Sequence, residues 1–185
     1  MLNNHIQLRP STLDDKSLIY SWFSNEDILK AMLMGDEYPD NPVPNEEMFF
    51  EDYEDYYFDG SAPEKGRVYI ICMDDEPIGS INYSSFHLHG NKAELDIWMK
   101  SIDFCGKGYG SQAIKLLCDL LRNEMNTQQF IIRPSKENLN AIKAYEKAGF
   151  TRMIEDVEAF KRATFTDDYG VGDYGIGNDL ILTRN

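Results

Sequence analysis

The stretch Asp103-Phe-Cys-Gly106-Lys-Gly108-Tyr-Gly110, followed by Ser-Gln-Ala-Ile-Lys-Leu-Leu-Cys118, decides how the chain is read. Three glycines at alternate positions precede an apolar pattern of helical period, and an apolar strand pattern, Lys92–Met99, comes before them. Glycine tolerates sharp turns and close approach of a ligand to the backbone. Successive backbone N–H groups running into a helix N-terminus form a site for phosphate oxygens. A dinucleotide-binding loop needs its glycines after the first strand and an acid about 20 residues on; neither condition holds here. Alone, the loop reads either as an anion site or as a tight structural turn.

Outward from the loop, the pattern alternates between strand and helix. Before it, His5–Arg9, Arg67–Met73, Pro77–Phe86 and Lys92–Met99 read as strands. Ser11 or Thr12 is a candidate cap for a helix that buries Leu18, Ile19, Trp22 and Phe23. A second helix is expected from about Asn45 to Phe58. After the loop come a helix from Tyr109 to about Asn123, a strand at Gln128–Arg133, a helix at Glu137–Ala148, and strands at Phe150–Val157 and Asp179–Thr183. The order β-α-α-β-β-β-α-β-α-β-β predicts a mixed α/β (α+β) sheet. At 185 residues, with no repeat or Pro/Gly/Ser-rich linker, residues 1–185 are expected to form a single domain.

Composition narrows the function. The formal net charge is −14, and residues 31–64 hold eleven acids with no Lys or Arg. Such a chain repels nucleic acid and anionic lipid and attracts cations. No apolar stretch approaches the ~20 residues needed to span a bilayer, and the first residues do not read as a signal peptide. Cys72, Cys105 and Cys118 show neither metal-ligand spacing nor an even disulfide framework. They are expected to be reduced thiols of a cytoplasmic protein, Cys72 and Cys118 in the core, and no metal site is expected. Monomer and homodimer are both compatible with the sequence.

A second motif, Asn138-Leu-Asn-Ala141-Ile-Lys-Ala-Tyr145-Glu-Lys-Ala-Gly149-Phe150, lies one strand and one helix after the loop. The pair resembles the GCN5-related N-acetyltransferase (GNAT) superfamily. The resemblance runs in element order from Ile6 to Phe150 and is specific over residues 94–150. It implies a mixed sheet splayed at the fourth strand with helices on both faces, and acetyl-CoA as co-substrate. Gly106, Lys107, Gly108, Tyr109 and Gly110 would hold the pyrophosphate of the coenzyme. The backbone of Ile97, Trp98 and Met99 would pair with the pantetheine arm and supply an N–H to the thioester oxygen. Asn138 would bind the coenzyme, although it also reads as a helix cap, and Tyr145 would lie near the sulfur. A phenol of pKa ~10 suits protonation of a departing thiolate of pKa ~8.5. Asp103 stands where the family often has Gln or Arg.

Residues 94–150 are most similar to the aminoglycoside 6'-N-acetyltransferases, whose Pro-Ser-x-x-Asn-Leu-x-Ala-Ile-x-x-Tyr-Glu-Lys-Ala-Gly-Phe run is matched by Pro134–Phe150. By that resemblance Asp96, ten residues before Gly106, is the general base for the acceptor amine, with Glu94 in reserve on the same strand face. A carboxylate of pKa ~3.9 is a feeble base, so burial or a water relay must assist it, or else it orients the amine. Arg133 stands where those enzymes have an aspartate near the drug. Phe49, Tyr53, Tyr56 and Tyr57, interleaved with acids, suit a small cationic amine; the same pattern also reads as an amphipathic helix with a solvated acidic face. Asp167, Asp168, Asp173 and Asp179 are candidates for the far side of the cleft. Cys105, with no histidine near it in sequence, is not expected to act as a nucleophile, and His87 and His89 are too isolated to indicate metal. The alternatives are acetylation of a protein N-terminus, as in the ribosomal-protein enzymes, and an acyl-CoA-binding module without catalysis.

Overall fold

The structure is a computed structural model that describes residues 5–33, 45–154, 156–166 and 180–185. Strand β1 (Ile6–Pro10) leads into helices α1 (Asp15–Phe23), α2 (Glu26–Leu33), α3 (Glu46–Asp52) and α4 (Tyr56–Asp59). Three strands follow, β2 (Gly66–Met73), β3 (Glu76–Ser84) and β4 (Lys92–Met99). Then come α5 (Tyr109–Met125), β5 (Gln129–Ile132), α6 (Leu139–Lys147), β6 (Thr151–Arg152), α7 (Val157–Thr164) and β7 (Leu182–Arg184). The seven strands form one sheet in the order β1-β2-β3-β4-β5-β7-β6, in which only β4 and β5 run parallel.

Alternation along the strands sends successive side chains to opposite faces. Leu95, Ile97 and Met99 of β4, with Phe130 and Ile132 of β5, pack against Ile114, Leu117, Leu121 and Tyr145 of α5 and α6. Trp98 of β4 and Val68, Ile70 and Cys72 of β2 turn the other way, onto Ile19, Trp22, Phe49 and Phe58 of α1, α3 and α4. Ile131 meets Phe165, at the end of α7, on that second face. Helices therefore cover both faces of a mixed sheet, as the sequence predicts, and Cys72 and Cys118 lie in the core.

Local departures have local causes. Ser11 does not cap α1: its buried hydroxyl donates to the carbonyls of Val68 and Phe58 and ties β1 to β2 and α4. The α1 entry is held by Asp15, whose carboxylate takes the N–H and hydroxyl of Thr12 and the Arg9 guanidinium. The expected helix over 45–58 is two helices, because the backbone is extended at Tyr53. Helices α2 and α7 were not anticipated, and α7 begins inside the expected strand Phe150–Val157, which is reduced to Thr151–Arg152. Asp167, Asp168, Asp173 and Asp179, with the acid-rich residues 34–44, lie outside the described residues.

Candidate active site where two parallel strands diverge

β4 and β5 stay paired for three positions only, Lys92 to Glu94 against Gln129 to Ile131. Beyond Glu94, β4 follows β3 alone, from Leu95 opposite Tyr83 to Met99 opposite Gly79. The edge of Leu95–Met99 away from β3 therefore opens into the gap between the strands. The Lys100 N–H donates to Ile78 O, and the Trp98 carbonyl faces Gly79, so the backbone groups of residues 98 and 100 point at β3. Strand alternation then directs those of Ile97 and Met99 to the open edge. The Ile97 N–H is taken by Asp96 Oδ1 at 2.8 Å. Of the three residues expected to offer backbone groups, Trp98 is turned the wrong way; its indole instead stacks on Phe23, with ring centroids 4.3 Å apart.

The glycine loop closes one end of the gap. A single 3-10 turn at Ile102–Phe104 leads to Gly106 (φ 72°) and Gly108 (φ 88°), both in the left-handed region where a side chain is strained. Gly108 is the N-cap of α5, and among the described residues no side chain caps that helix. Its first-turn N–H groups and the dipole of a 17-residue helix thus suit an anion. A Cβ on Gly106 would meet open space, whereas one on Gly110 would touch Ile97 Cδ1 at 3.5 Å, so the loop is seated directly on β4. Lys107 is exposed on the loop, and Tyr109 packs partly against the core. Lys147, at the end of α6, brings its ammonium within 3.5 Å of where a Gly108 Cβ would stand. Sequence reading did not single out Lys147, although its recurrence in the Tyr-Glu-Lys-Ala-Gly-Phe run was the available signal.

Asp96 and Tyr145 come from opposite faces of β4 and feel each other through charge. Asp96 keeps an exposed face while protein crowds the rest of it, the situation of a group on the floor of a cleft. That partial desolvation raises its pKa above the ordinary carboxylate value, and the nearby charge of Glu94 adds to the rise, against the opposing bond from Ile97 N–H. Tyr145 of α6 is 7% exposed and belongs to the same core cluster as Leu95, Ile97 and Met99. Burial, and secondarily the charge on Asp96, hold its hydroxyl protonated far above the usual phenol range. The pair offers a proton acceptor and a proton donor in electrostatic contact. Asn138 caps α6, its Oδ1 accepting the Ala141 N–H at 3.0 Å, and is itself buried. Burial raises the Cys105 thiol, which disfavours a thiolate nucleophile there.

Glu94 shares the Asp96 face but is already engaged. Its oxygens accept from Arg133 Nε and Nη2 at 2.5 and 3.0 Å and are bonded to His87 Nε2 at 2.6 Å. These partners hold the Glu94 carboxyl below its usual pKa despite the opposing effect of burial, which is the largest single influence on it. The two aromatic candidates part company. Tyr53 stacks on Phe49 at 4.6 Å and sits edge-on to Phe23, on the same face as Trp98 and Asp96. Tyr56 is turned onto Tyr57 and beneath the Lys65 ammonium.

The family model for the acetyltransferase (GNAT) domain matches residues 5–151. The chain belongs to the GNAT acetyltransferases. This GNAT chain is 29% identical over 185 aligned positions to the aminoglycoside N(6')-acetyltransferase type 1 of Klebsiella pneumoniae, covering 86% of this chain and 87% of that one. It is 45% identical over 70 positions to a kanamycin resistance protein of Rhizobium radiobacter, covering 31% and 65% of the two chains. The crystal structure of aminoglycoside acetyltransferase AAC(6')-Ib in complex with coenzyme A and kanamycin superposes with a TM-score of 0.70 at 22% identity, over 98% of this chain and 95% of that one. Spermidine N-acetyltransferase from Vibrio cholerae, solved with CoA and spermine, gives 0.66 at 18% identity, over 97% and 94%. At such identities the two structures establish the fold. The protein is an N-acetyltransferase that uses acetyl-CoA. The open edge of β4, the positive-φ glycines and the uncapped start of α5 fit that co-substrate in shape and charge. No helix among the described residues is long and apolar enough to cross a membrane.

Proposed function

We propose that this GNAT enzyme acetylates a primary amine of a polycationic amino sugar, in the manner of an aminoglycoside 6'-N-acetyltransferase. The observation that carries the reading is Asp96, a carboxylate of raised basicity that is electrostatically coupled to the buried Tyr145 hydroxyl, just past the point where β4 leaves β5. Similarity along most of the chain to the Klebsiella pneumoniae enzyme supports the acceptor class, as does an acid-rich chain of net charge −14, which draws cations by long-range attraction.

In this reading the amides of Gly106–Gly110 and the start of α5 hold the coenzyme pyrophosphate, with Lys107 beside them and Asn138 steadying α6. Ile97 and Met99 present their backbone edge to the pantetheine arm. The Met99 N–H, rather than that of Ile97, which Asp96 occupies, stabilises negative charge developing on the thioester oxygen. Asp96 takes a proton from the acceptor amine, the N–C bond forms as the C–S bond breaks, and Tyr145 supplies a proton to the departing sulfur. Tyr53 and Trp98 line the acceptor side.

The test is coenzyme A release from acetyl-CoA over kanamycin-type drugs with and without a 6'-amine, polyamines, and basic peptides bearing a free N-terminus. Turnover with the 6'-amine and its loss when that amine is missing are expected. Equal rates on both drugs rule out the 6' assignment, and turnover confined to polyamines or peptides rules out the amino sugar.

A further inference from the structure

The parallel pairing of β4 with β5 ends at Glu94 opposite Ile131, and a buried charged cluster sits at that last pair. Glu94 is 15% exposed in its side chain, Arg133 6% and His87 3%. Arg133 comes one residue after β5 and grips Glu94 through two nitrogens. His87 lies in the turn between β3 and β4 and binds the same carboxylate from the other side. Phe165 backs both, with the Arg133 guanidinium 4.7 Å above its ring and the His87 ring stacked on it at 5.8 Å. Phe165 is fastened to the same turn: it bridges to Leu88, and the flanking Thr164 and Thr166 exchange backbone bonds with His89 and His87. Four separate chain segments thus converge where the two strands part.

A buried ion pair of this kind is weak evidence for stability, since an apolar pair of similar volume often does as well. Its placement is what is informative. A bidentate guanidinium–carboxylate pair constrains direction as well as distance, so it fixes the separation of β4 and β5 at the start of the cleft. We infer that Glu94 and Arg133 are positioning residues of the transfer reaction: they set the point of strand divergence and hold a fixed negative charge beside Asp96. The inference rests on the reading of Asp96 as proton acceptor. It also accounts for an arginine at position 133 on the acceptor side: its charge is spent on Glu94.

The charge has a direction of action. Glu94, two residues away on the same face, lifts the Asp96 pKa, whereas Arg133 stands beyond Glu94. Among the described residues, Tyr145 of α6 is also coupled to Asp96 and stays protonated. Across the strand, β3 presents Asn82 and, next to it on that face, Ser84, whose hydroxyl is bonded to Tyr57 of α4. His87, between β3 and β4, acts through Glu94.

The deciding variant is Glu94→Leu with Arg133→Leu, which removes both charges without leaving either buried alone, and it is assayed beside Asp96→Asn and the conservative Arg133→Lys. Rates are measured against pH with saturating acceptor and graded acetyl-CoA. The double variant is expected to melt within a few degrees of the parent and to keep the acetyl-CoA KM within about threefold. Its kcat should fall about tenfold or more, and the acid limb of kcat/KM should move to lower pH. Arg133→Lys, which keeps the charge and loses the fork, should lower kcat and leave the limb in place. A folded double variant with the parent's kcat and acid limb overturns the inference. If the double variant does not fold, an unchanged kcat in Arg133→Lys overturns it and a lowered kcat at constant KM supports it. Full activity in Asp96→Asn removes the Asp96 reading itself. Inactivity there, with the parent's kcat and an unmoved limb in the double variant, removes only the role of the pair.

Discussion

Gly79→Ala is the sharpest test of how β4 is held. Gly79 pairs with Met99 and faces the Trp98 carbonyl, next to the irregularity where the β2–β3 register shifts between Ile71 and Cys72. A Cβ there would stand 2.5 Å from Trp98 O, 3.1 Å from Met99 Cα and 3.2 Å from Met99 Sδ. Two of the three obstacles are backbone, so relief requires β4 to move at the segment that lines the cleft. Overpacking of this kind costs about 2–3 kcal/mol, and at ~2–4 °C per kcal/mol for a domain of this size the midpoint should fall about 4–12 °C. Because the displaced residues are those expected to meet the pantetheine arm, the acetyl-CoA KM should rise as well. For melting, the control is Gly110→Ala, where the added carbon meets Ile97 Cδ1 at an ordinary 3.5 Å inside a helix that favours alanine. Calorimetry and initial rates on both variants provide the assay. A Gly79→Ala protein with unchanged melting and unchanged KM refutes the argument from close backbone approach.

Asp96→Asn should lower kcat on the order of a hundredfold or more, and in the parent the acid limb of kcat/KM should lie above the ordinary carboxylate value, because the folded carboxyl holds its proton to higher pH. A pH profile with no limb above about pH 4 would contradict that. Tyr145→Phe should cost roughly a hundredfold in kcat with little change in acetyl-CoA KM, since it removes a proton that the buried phenol keeps across the working pH range; a large rise in KM with intact kcat would make it a binding residue instead. Asp15 has a folded pKa lowered chiefly by its Arg9 bond, so its stabilisation is complete above about pH 4 and disappears as pH falls through the folded value. Asp15→Asn should therefore cost up to about 1 kcal/mol at pH 7, discounted for the exposed Arg9, and the difference in melting should shrink as pH falls below about 4; a deficit that does not shrink with falling pH would refute the linkage.

What could be read in the sequence was local. The glycine loop, the strand before it and the helix carrying Tyr145 each follow from residues within one element, and the glycines announce the positive φ that Gly106 and Gly108 adopt. Asp96 was singled out by the resemblance to the aminoglycoside 6'-N-acetyltransferases, which carry an aspartate ten residues before the first glycine; composition and periodicity alone did not mark it. The role of Glu94 was out of reach, because Arg133, which takes its charge, is 39 residues away along the chain. Arg133 stood out in the sequence only as a cation in the place of an aspartate near the drug, and its partner Glu94 came into view with the fold. Ser11 looked like a cap because capping is a short-range pattern, whereas its bonds run to Phe58 and Val68. Tyr53 and Tyr56 share a helical spacing but not a helix, and the break at Tyr53 is what separates their surroundings.

The strand order has a consequence for synthesis. β7, formed by residues 182–184, is last in sequence but lies inside the sheet, between β5 and β6. Until those residues have left the ribosome, β5 has no neighbour on that side, and its Phe130, Ile131 and Ile132, at most 3% exposed in the finished fold, border an unfilled edge. Unpaired apolar edges are templates for association between chains. The earlier strands β1 to β4 are neighbours in sequence and can pair as they emerge, so the nascent enzyme completes one half of its cleft well before the other. Conditions that delay or displace the final strand are those in which aggregation of the newly made protein should be greatest.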